Sequence, residues 1–408
     1  MGTHRTISLK DEKLELGPLG GRLLMIGLVI GVVGLGAAIG LGLAAGDGWK
    51  HFFHSYLVAF AFFLTITLGG LFFVTVQHLT RAGWSVVVRR VAEIVAANVG
   101  VMAILFLVIL VPIFMGNAAL FKWTDHALVE SDHLLHEKHA YLNVTFFAIR
   151  AVIYFVFWGL LSRFFLKRST EQDQSGDPEL SLKMERVSAP AMILFALTIT
   201  FAGFDLLMSL DPYWFSTIFG VYVFAGSVMG FMATASLCFM FLQRQGLLKN
   251  AVTTDHYQDL GKLLFAFVFF WGYIAFSQFM LIWYANIPEE TEWYQNRIQG
   301  PWLTVSYALL FVHVIIPFGG LLSRYVKRSR VGLAFWAVWL LGAHYLDIYW
   351  LVMPSLNNQS VPFGVIDVAA LIGVAGFFLA GLALLAKGRP LLAVKDPRLN
   401  ESLSFENY

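Results

Sequence analysis

Ten separate runs of apolar residues, each about as long as a bilayer is thick, constrain this sequence more than any other feature. A run of roughly 20 residues spans a hydrocarbon core of ~30 Å as a helix, and a helix satisfies all of its own backbone polar groups in lipid. Hydrophobic residues make up 58% of the chain and charged residues 13%, whereas soluble domains carry about a quarter charged residues. The sequence therefore predicts an all-α polytopic membrane protein.

The predicted transmembrane helices are numbered here as spans 1 to 10. They cover residues 21–45, 52–78, 91–115, 140–166, 188–210, 216–242, 260–286, 301–326, 331–353 and 363–387. Most of the 28 Lys and Arg residues lie in the amino-terminal segment, in every second connection and in the tail. Because cytoplasmic loops carry the excess of Lys and Arg, we expect both termini in the cytoplasm.

Two parts of the sequence repeat each other. Span 4, read from Tyr141, aligns without gaps with span 8, read from Trp302, and both end in GLLSR. Asp205 precedes Pro212 in span 5 by seven residues, and span 9 repeats this spacing with Asp347 and Pro354. The paired spans cross in the same direction, so the sequence predicts a parallel repeat of two four-helix bundles, spans 2–5 and spans 6–9, flanked by spans 1 and 10. The expected organisation is a cytoplasmic segment at 1–20, the first span within 21–50, bundles at 51–212 and 213–354, and the tenth span with a cytoplasmic tail at 355–408.

Ionisable residues inside lipid are expensive, and they usually face a protein interior or a wet cavity. His344 and Asp347 are three residues apart and therefore share one face of span 9. A histidine exchanges protons near neutrality without help from its surroundings. The buried or membrane-margin groups that are candidates for a proton path are Asp205, Asp347, His344, Arg150, His313, Glu93, His78 and Asp367.

Each candidate also has a structural interpretation. Asp205 and Asp347 can cross-link helices beside a proline, and Arg150 can neutralise a buried carboxylate. His313 fits a hydrogen-bonded core residue, and Asp367 fits a carboxylate at the start of a helix, where the helix dipole favours it. His78 and Glu93 lie close enough to the membrane margin to be solvated. Counting along spans 8 and 9 offsets His313 from His344 by about a helical turn, which disfavours paired haem ligation.

Sequences outside the membrane give weaker signals. The loop between spans 3 and 4 contains His133, His136 and His139 at three-residue spacing, which suits a metal on a helix. The many acidic neighbours of these histidines favour a solvated amphipathic helix instead. No metal site is therefore expected in this loop. The polar stretch 168–186 is expected to be a linker or short surface helix.

Glycine pairs at four-residue spacing in span 1 allow close helix packing, either within the chain or against a partner subunit. The single cysteine, Cys238, permits no disulfide, no cysteine-ligated iron–sulfur cluster and no CxxCH haem attachment within the chain.

Three stretches carry a resemblance to a known family. They are YLNVTFFAIRAVIYFVFW, FDLLMSLDPYWFSTIFGVYVFAGS and FVFFWGYIAFSQFMLIWYANIPEETEWY, which lie between residues 141 and 294. Together with ten spans and the absence of redox ligands, they resemble the NrfD/PsrC-like quinone-interacting membrane subunits. Within that family they look most like the second such subunit, the ActF type, of bacterial alternative complex III.

The resemblance implies a membrane subunit of a quinol:electron acceptor (cytochrome c) oxidoreductase in a bacterial inner membrane. The subunit would have no redox centre or covalent cofactor of its own, and it would lie beside a paralogous ten-helix subunit, an iron–sulfur protein, multihaem cytochromes c and lipids. It would conduct protons, and quinol binding is a lesser expectation, with a quinone such as menaquinone as the only implied cofactor. The quinone-binding candidates are His344, Asp347, Gln278 and Tyr284. No nucleic-acid partner is expected.

Two other classes of protein fit a repeated ten-span chain. A secondary transporter would hold its substrate near the bilayer midplane between the repeats, on broken helices. The sequence shows no clearly interrupted span, although Pro317 lies within span 8. A purely structural anchor would use its buried acids only to hold helices together.

Overall fold

The computed structural model describes residue 9 and residues 12–407 of the chain. Within this part, ten helices are long and apolar enough to cross a bilayer. Spans 1 to 10 cover Pro18–Ala45, Lys50–Leu79, Val86–Phe114, Val144–Ser175, Glu179–Leu210, Phe219–Arg244, Thr254–Ala285, Gly300–Leu322, Arg330–Ser355 and Val365–Ala386. The prediction of a multi-pass helical membrane protein is confirmed. The predicted segment 1–20 falls outside the described residues at positions 1–8, 10 and 11.

The remaining elements are short helices in the connections, and residues 12–407 contain no β-strand longer than one isolated bridge. The short helices are Lys122–Thr124, His126–Ser131, His133–Lys138, Pro288–Ile298, Arg324–Arg328 and Leu399–Leu403. The carboxyl-terminal residues 387–407 pack against the turns that follow spans 2, 4, 6 and 8, and we call this side of the molecule the tail face. The opposite side, which carries the loops after spans 1, 3, 5, 7 and 9, is the distal face.

The ten spans pack in a simple order. Spans 2, 3, 4 and 5 contact one another in a closed ring, and so do spans 6, 7, 8 and 9. Spans 2 and 6 join the two rings, and span 2 is the most buried helix of the chain, with 89% of its apolar window inside the protein. Spans 1 and 10 lie against each other along their length, and both contact span 2.

Spans 1 and 10 approach closely because of glycine. A Cβ atom on Gly27 would lie 2.7 Å from the backbone nitrogen of Ala380, which is closer than atoms can pack. Gly36 and Gly40, in contrast, have open space where a Cβ would stand. Internal packing therefore explains the glycines on one side of span 1, and docking of a partner subunit on its other side stays a prediction.

The helices run further past the membrane at the tail face than hydropathy indicates. Span 4 continues to Ser175 and span 5 starts at Glu179. The stretch 168–186, expected to be a linker or a short surface helix, is helical except for a short turn and belongs to the ends of these two long helices. The turn between them uses Gly176 in the left-handed region at φ 69°, and the Gln172 amide donates to the Asp177 carbonyl oxygen at 2.9 Å. Gln, Glu and Lys are good helix formers despite their polarity, so a search for apolar runs does not detect this extension.

Candidate functional site

The buried acid of span 5 has a cation of its own. Arg150 donates from Nε and Nη2 to the two carboxylate oxygens of Asp205, each at 2.8 Å, and Tyr154 donates a third hydrogen bond at 2.8 Å. The guanidinium also stacks on Tyr141 and Phe146, 3.8 Å and 4.4 Å from their ring centroids. A bidentate pair enclosed in this way is fixed in geometry. The arrangement fits the structural interpretation of Asp205 and Arg150.

The corresponding acid of span 9 is held differently. Asp347 accepts a short hydrogen bond from the hydroxyl of Tyr222 and a second one, at 3.2 Å, from the indole nitrogen of Trp271. Both donors are neutral. Among residues 12–407, no Lys or Arg forms an ion pair with this carboxylate, although its residue is 2% exposed. Asp347 is therefore a buried acid without a built-in countercharge.

His344 lies one turn before Asp347 and enters a space left by two glycines of span 6. A Cβ on Gly226 or on Gly230 would lie 3.0 Å from a ring carbon of His344. The Thr65 hydroxyl donates to the Phe62 carbonyl oxygen at 2.9 Å, so its oxygen accepts from Nε2–H of His344 at 2.8 Å. In this tautomer Nδ1 carries a lone pair, and Nδ1 has no hydrogen-bond partner among the described residues.

His313 reaches the same point from span 8, where the helix is irregular. Pro317 has no N–H and cannot donate to the carbonyl four residues earlier, which belongs to His313. The backbone forms a π-helix over Leu310–Ile315, a wide turn often found at functional sites. The His313 ring stacks on Trp271 with centroids 3.7 Å apart, and neither ring nitrogen has a partner within the described part of the chain.

His313, His344 and Asp347 therefore form one cluster, called here the His–His–Asp cluster. One ring nitrogen of each histidine and one carboxylate oxygen of Asp347 lie within 4.8 Å of one another. The two histidine side chains therefore meet, although an offset of about a helical turn was expected between them. Since one bridging water spans two hydrogen bonds of about 2.8 Å each, a proton can pass between these groups through a single water.

The cluster has the chemistry of proton exchange more than that of a metal centre. Two imidazoles and a carboxylate are groups that zinc binds, but both carboxylate oxygens and one nitrogen of His344 already take part in hydrogen bonds. Three of the four imidazole nitrogens have no partner among residues 12–407. Unpaired nitrogens beside a carboxylate with no cation can accept and release protons, and a bound proton supplies the missing positive charge.

Glu93 belongs to a buried ionic network at the tail face. Its carboxylate accepts from Nε of Arg90 at 3.0 Å and lies 3.4 Å from Nε of Arg89. Arg90 also binds Asp173 at 2.7 Å, and Arg89 binds Asp396 of the tail. Because Glu93 is fully buried, its expected solvation at the membrane margin is wrong. The network connects span 3 with span 4 and with the tail.

His78 is buried close to this network. Its ring stacks on Phe165 with centroids 5.2 Å apart, and Nε2 has no partner among the described residues. His78, Gln77 and Arg89 line a tail-face cavity of about 200 Å³. The residue is 5% exposed, so the prediction that it is simply solvated is wrong, whereas a role at the tail-face end of a proton path stays a prediction.

The remaining candidates lie apart from the cluster. Asp367 begins span 10, accepting from the backbone N–H of Gly364 at 2.8 Å and from the Ser55 hydroxyl at 2.7 Å. Gln278 donates to the Tyr294 hydroxyl at 3.1 Å and lies seven residues, about 10 Å of helix, beyond the tryptophan that binds Asp347. Tyr284 is 83% exposed. The four quinone-binding candidates therefore do not form a single pocket.

Arg297, in the short helix after span 7, is a buried cation that the sequence analysis did not single out. It donates to the carbonyl oxygens of Trp293 and Leu351, each at 2.9 Å, and stacks 3.5 Å from the Trp293 ring centroid. Burial lowers the pKa of this guanidinium. Arg297 and Leu351 line a distal-face cavity of about 300 Å³. Leu351 follows Asp347 by one turn, about 6 Å along the helix, so the cavity ends close to the cluster.

A scan of the chain against models of protein families matched none of them, and a search of curated proteins found no match.

Proposed function

We propose that this chain is an integral membrane subunit of a bacterial quinol:cytochrome c oxidoreductase, related to the NrfD/PsrC-like subunits and closest to the ActF type of alternative complex III. In this proposal it has no redox centre of its own. It carries protons through the His–His–Asp cluster and helps to hold the assembly in the membrane. The closed rings of spans 2–5 and 6–9 would be the two halves of a parallel repeat, with the tail face in the cytoplasm.

The observation that carries this proposal is the difference between the two repeated acids. Asp205 has Arg150 as a permanent partner, whereas Asp347 has only neutral donors and two histidines with unpaired nitrogens. An uncompensated charge in a membrane interior is costly, so Asp347 favours a mobile positive charge, and a proton is the simplest one. Of the proton-path candidates named from the sequence, we retain those of spans 8 and 9, within the ring of spans 6–9.

The cavities indicate the ends of the proposed path. Towards the distal face, the cavity beside Arg297 is lined by Leu351, which lies one turn from Asp347 along span 9. Towards the tail face, the cavity beside His78 and the network around Glu93 offer polar groups. Between them and the cluster, residues 66–76 of span 2 are apolar except for Thr67 and Thr75, whose hydroxyls donate to their own helix. We therefore propose that protons exchange mainly between the cluster and the distal face, as expected where quinol oxidation releases protons.

Quinone binding is the lesser part of the proposal. His344 and Asp347 are each 2% exposed, and Gln278 is engaged with Tyr294. A headgroup would have to displace these contacts. We therefore assign protons, and not a quinone ring, to the cluster, and place the quinol with the paralogous subunit.

Purification tests whether the chain belongs to such a complex. The full chain, tagged at its carboxyl terminus and extracted in a mild detergent, should co-purify with c-type haem absorbance and with iron–sulfur signals in electron paramagnetic resonance. A preparation with neither signal that retains a solute-binding protein would contradict the proposal and support a secondary transporter. The π-helix next to Pro317 is the one feature that favours this alternative, because transporters place substrates at irregular helix centres.

A second experiment tests the cluster within the complex. Asp347→Asn, His344→Gln and His313→Gln should each slow quinol oxidation, because each removes one group of a relay. Asp205→Glu, which keeps the charge opposite Arg150, is the control. Wild-type turnover in all three cluster variants would leave only the role of a structural anchor.

A further inference from the structure

A groove on the lipid-facing surface lies between spans 3, 4 and 10, and nothing in the proton-path proposal uses it. Its volume is about 620 Å³, and Phe155, Gly159 and Leu160 line its apolar part. Leu160 is 66% exposed, and Gly159 has nothing within 4 Å of where a Cβ would stand. The groove is thus an open depression towards the membrane.

The lining changes character along span 4. Phe155, Gly159, Arg163 and Lys167 follow one another at four-residue steps, so they share one helix face. Over these twelve residues, about 18 Å of helix, the face passes from an aromatic ring and a glycine to two cations. The cations lie at the tail-face end, where the apolar part of span 4 gives way to polar sequence. This is the depth at which lipid headgroups stand.

The charge of the groove is unbalanced. Arg163, Lys167 and Arg389 line its tail-face end, and no acidic residue lines it. Glu171 forms an ion pair with Lys167 at 3.8 Å but does not line the groove, and Arg389 donates to the carbonyl oxygen of Leu385. Arg163 makes no ion pair with any residue in the range 12–407. Of these three clustered cations only Lys167 has an acidic partner among the described residues, and that partner lies outside the groove, so the site fits an anionic ligand.

We propose that this groove binds an anionic phospholipid. The phosphate lies among Arg163, Lys167 and Arg389, and an acyl chain lies along Phe155 and Leu160. Basic pockets between transmembrane helices on the cytoplasmic side are suited to anionic headgroups, and an apolar trough with cations at one end matches a phospholipid in both polarity and direction. A helix of a partner protein would satisfy the apolar part but would need an acidic side chain at headgroup depth.

Native mass spectrometry of the purified full chain tests the charge requirement. We expect wild-type protein to bind a first molecule of phosphatidylglycerol more tightly than one of phosphatidylcholine. The variant R163Q/K167Q should bind phosphatidylglycerol about 30-fold more weakly, because each Lys or Arg near the headgroup contributes a few-fold. The control K183Q/R186Q removes two exposed cations from the same face outside the groove and should bind as wild type does. Equal binding by the two double variants would overturn the proposal.

Two further measurements address the apolar part. Gly159→Trp fills the trough without changing charge, and it should also lose the tightly bound phosphatidylglycerol. A photo-crosslinking residue at position 160 in native membranes should attach to lipid. Retention of the lipid in Gly159→Trp, or a cross-link from position 160 to another protein chain, would contradict the phospholipid assignment. Neither measurement depends on proton transfer, so the phospholipid proposal and the proton-path proposal can fail separately.

Discussion

Removing Arg150 should destabilise the protein far more than neutralising Asp347, although Asp205, the partner of Arg150, and Asp347 each precede a proline by seven residues. In wild type, the Arg150 guanidinium supplies two of the three hydrogen bonds to the Asp205 carboxylate and all of its countercharge. Arg150→Met leaves a buried anion with the Tyr154 hydroxyl alone. Asp347 has no cation to lose, and an asparagine can still accept from Tyr222.

The expected loss of stability follows from this geometry. Breaking a buried ion pair by removing one partner costs about 3–5 kcal/mol, since the remaining charge stays desolvated. We expect Arg150→Met to lower the free energy of unfolding by this amount. The double variant Arg150→Met/Asp205→Leu removes both charges and should recover most of the loss. Asp347→Asn should change stability by about 1 kcal/mol, the value of one hydrogen bond.

These differences in stability can be measured by unfolding the purified chain in mixed detergent micelles. The mole fraction of dodecyl sulfate is increased, and far-ultraviolet circular dichroism follows the loss of helix. Arg163→Met is the control, because this arginine lies on the same span, is exposed and makes no ion pair with any described residue. An Arg150→Met variant as stable as the control would refute the assignment of Arg150 and Asp205 as a structural pair. So would a double variant as unstable as the single one.

Three further predictions concern packing and capping, all measured by the same unfolding experiment. Gly226→Ala places a Cβ 3.0 Å from the His344 ring and should cost about 1–3 kcal/mol through overpacking, whereas Gly342→Ala, with nothing within 4 Å, should be neutral or slightly stabilising. Glu93→Gln removes the charge that faces two buried arginines and should lower the free energy of unfolding by about 3 kcal/mol. If Glu93→Gln is as stable as Glu289→Gln, an exposed control, the tail-face network is not structural. Asp367→Ala removes the carboxylate that accepts hydrogen bonds from Gly364 and Ser55, and it should lower the free energy of unfolding by about 1–2 kcal/mol. A loss of stability no larger than that of Ser55→Ala would show that the helix cap contributes nothing.

The spans were predictable because each contains an apolar run that only a bilayer explains. Their ends at the tail face were not, since the helix from Lys167 to Ser175 is polar and hydropathy does not distinguish a polar helix from a linker. Pairing of Arg150 with a buried carboxylate was foreseen as one alternative because a lone charge of either sign would be too costly in lipid. That this carboxylate is Asp205 came from the structure.

The His–His–Asp cluster was not predictable as a unit. Placing His313 against His344 required counting residues at the regular α-helical period, and the π-helix at Leu310–Ile315 breaks that period. One additional residue in a turn rotates the following side chains by about 100°. Pro317 was the visible signal, because a proline in a helix interior disrupts the backbone bonding one turn before it. Arg297 was missed because it lies outside the apolar runs from which the buried candidates were chosen.

The ratio of protons moved to electrons transferred tests the proton path most directly. The intact complex, reconstituted in vesicles with an entrapped pH indicator, would be supplied with quinol and a cytochrome c acceptor. We predict that Asp347→Asn lowers this ratio, while Asp347→Glu retains most of it and Asp205→Glu leaves it at the wild-type value. A wild-type ratio in Asp347→Asn, with normal assembly and turnover, would contradict proton exchange at the His–His–Asp cluster.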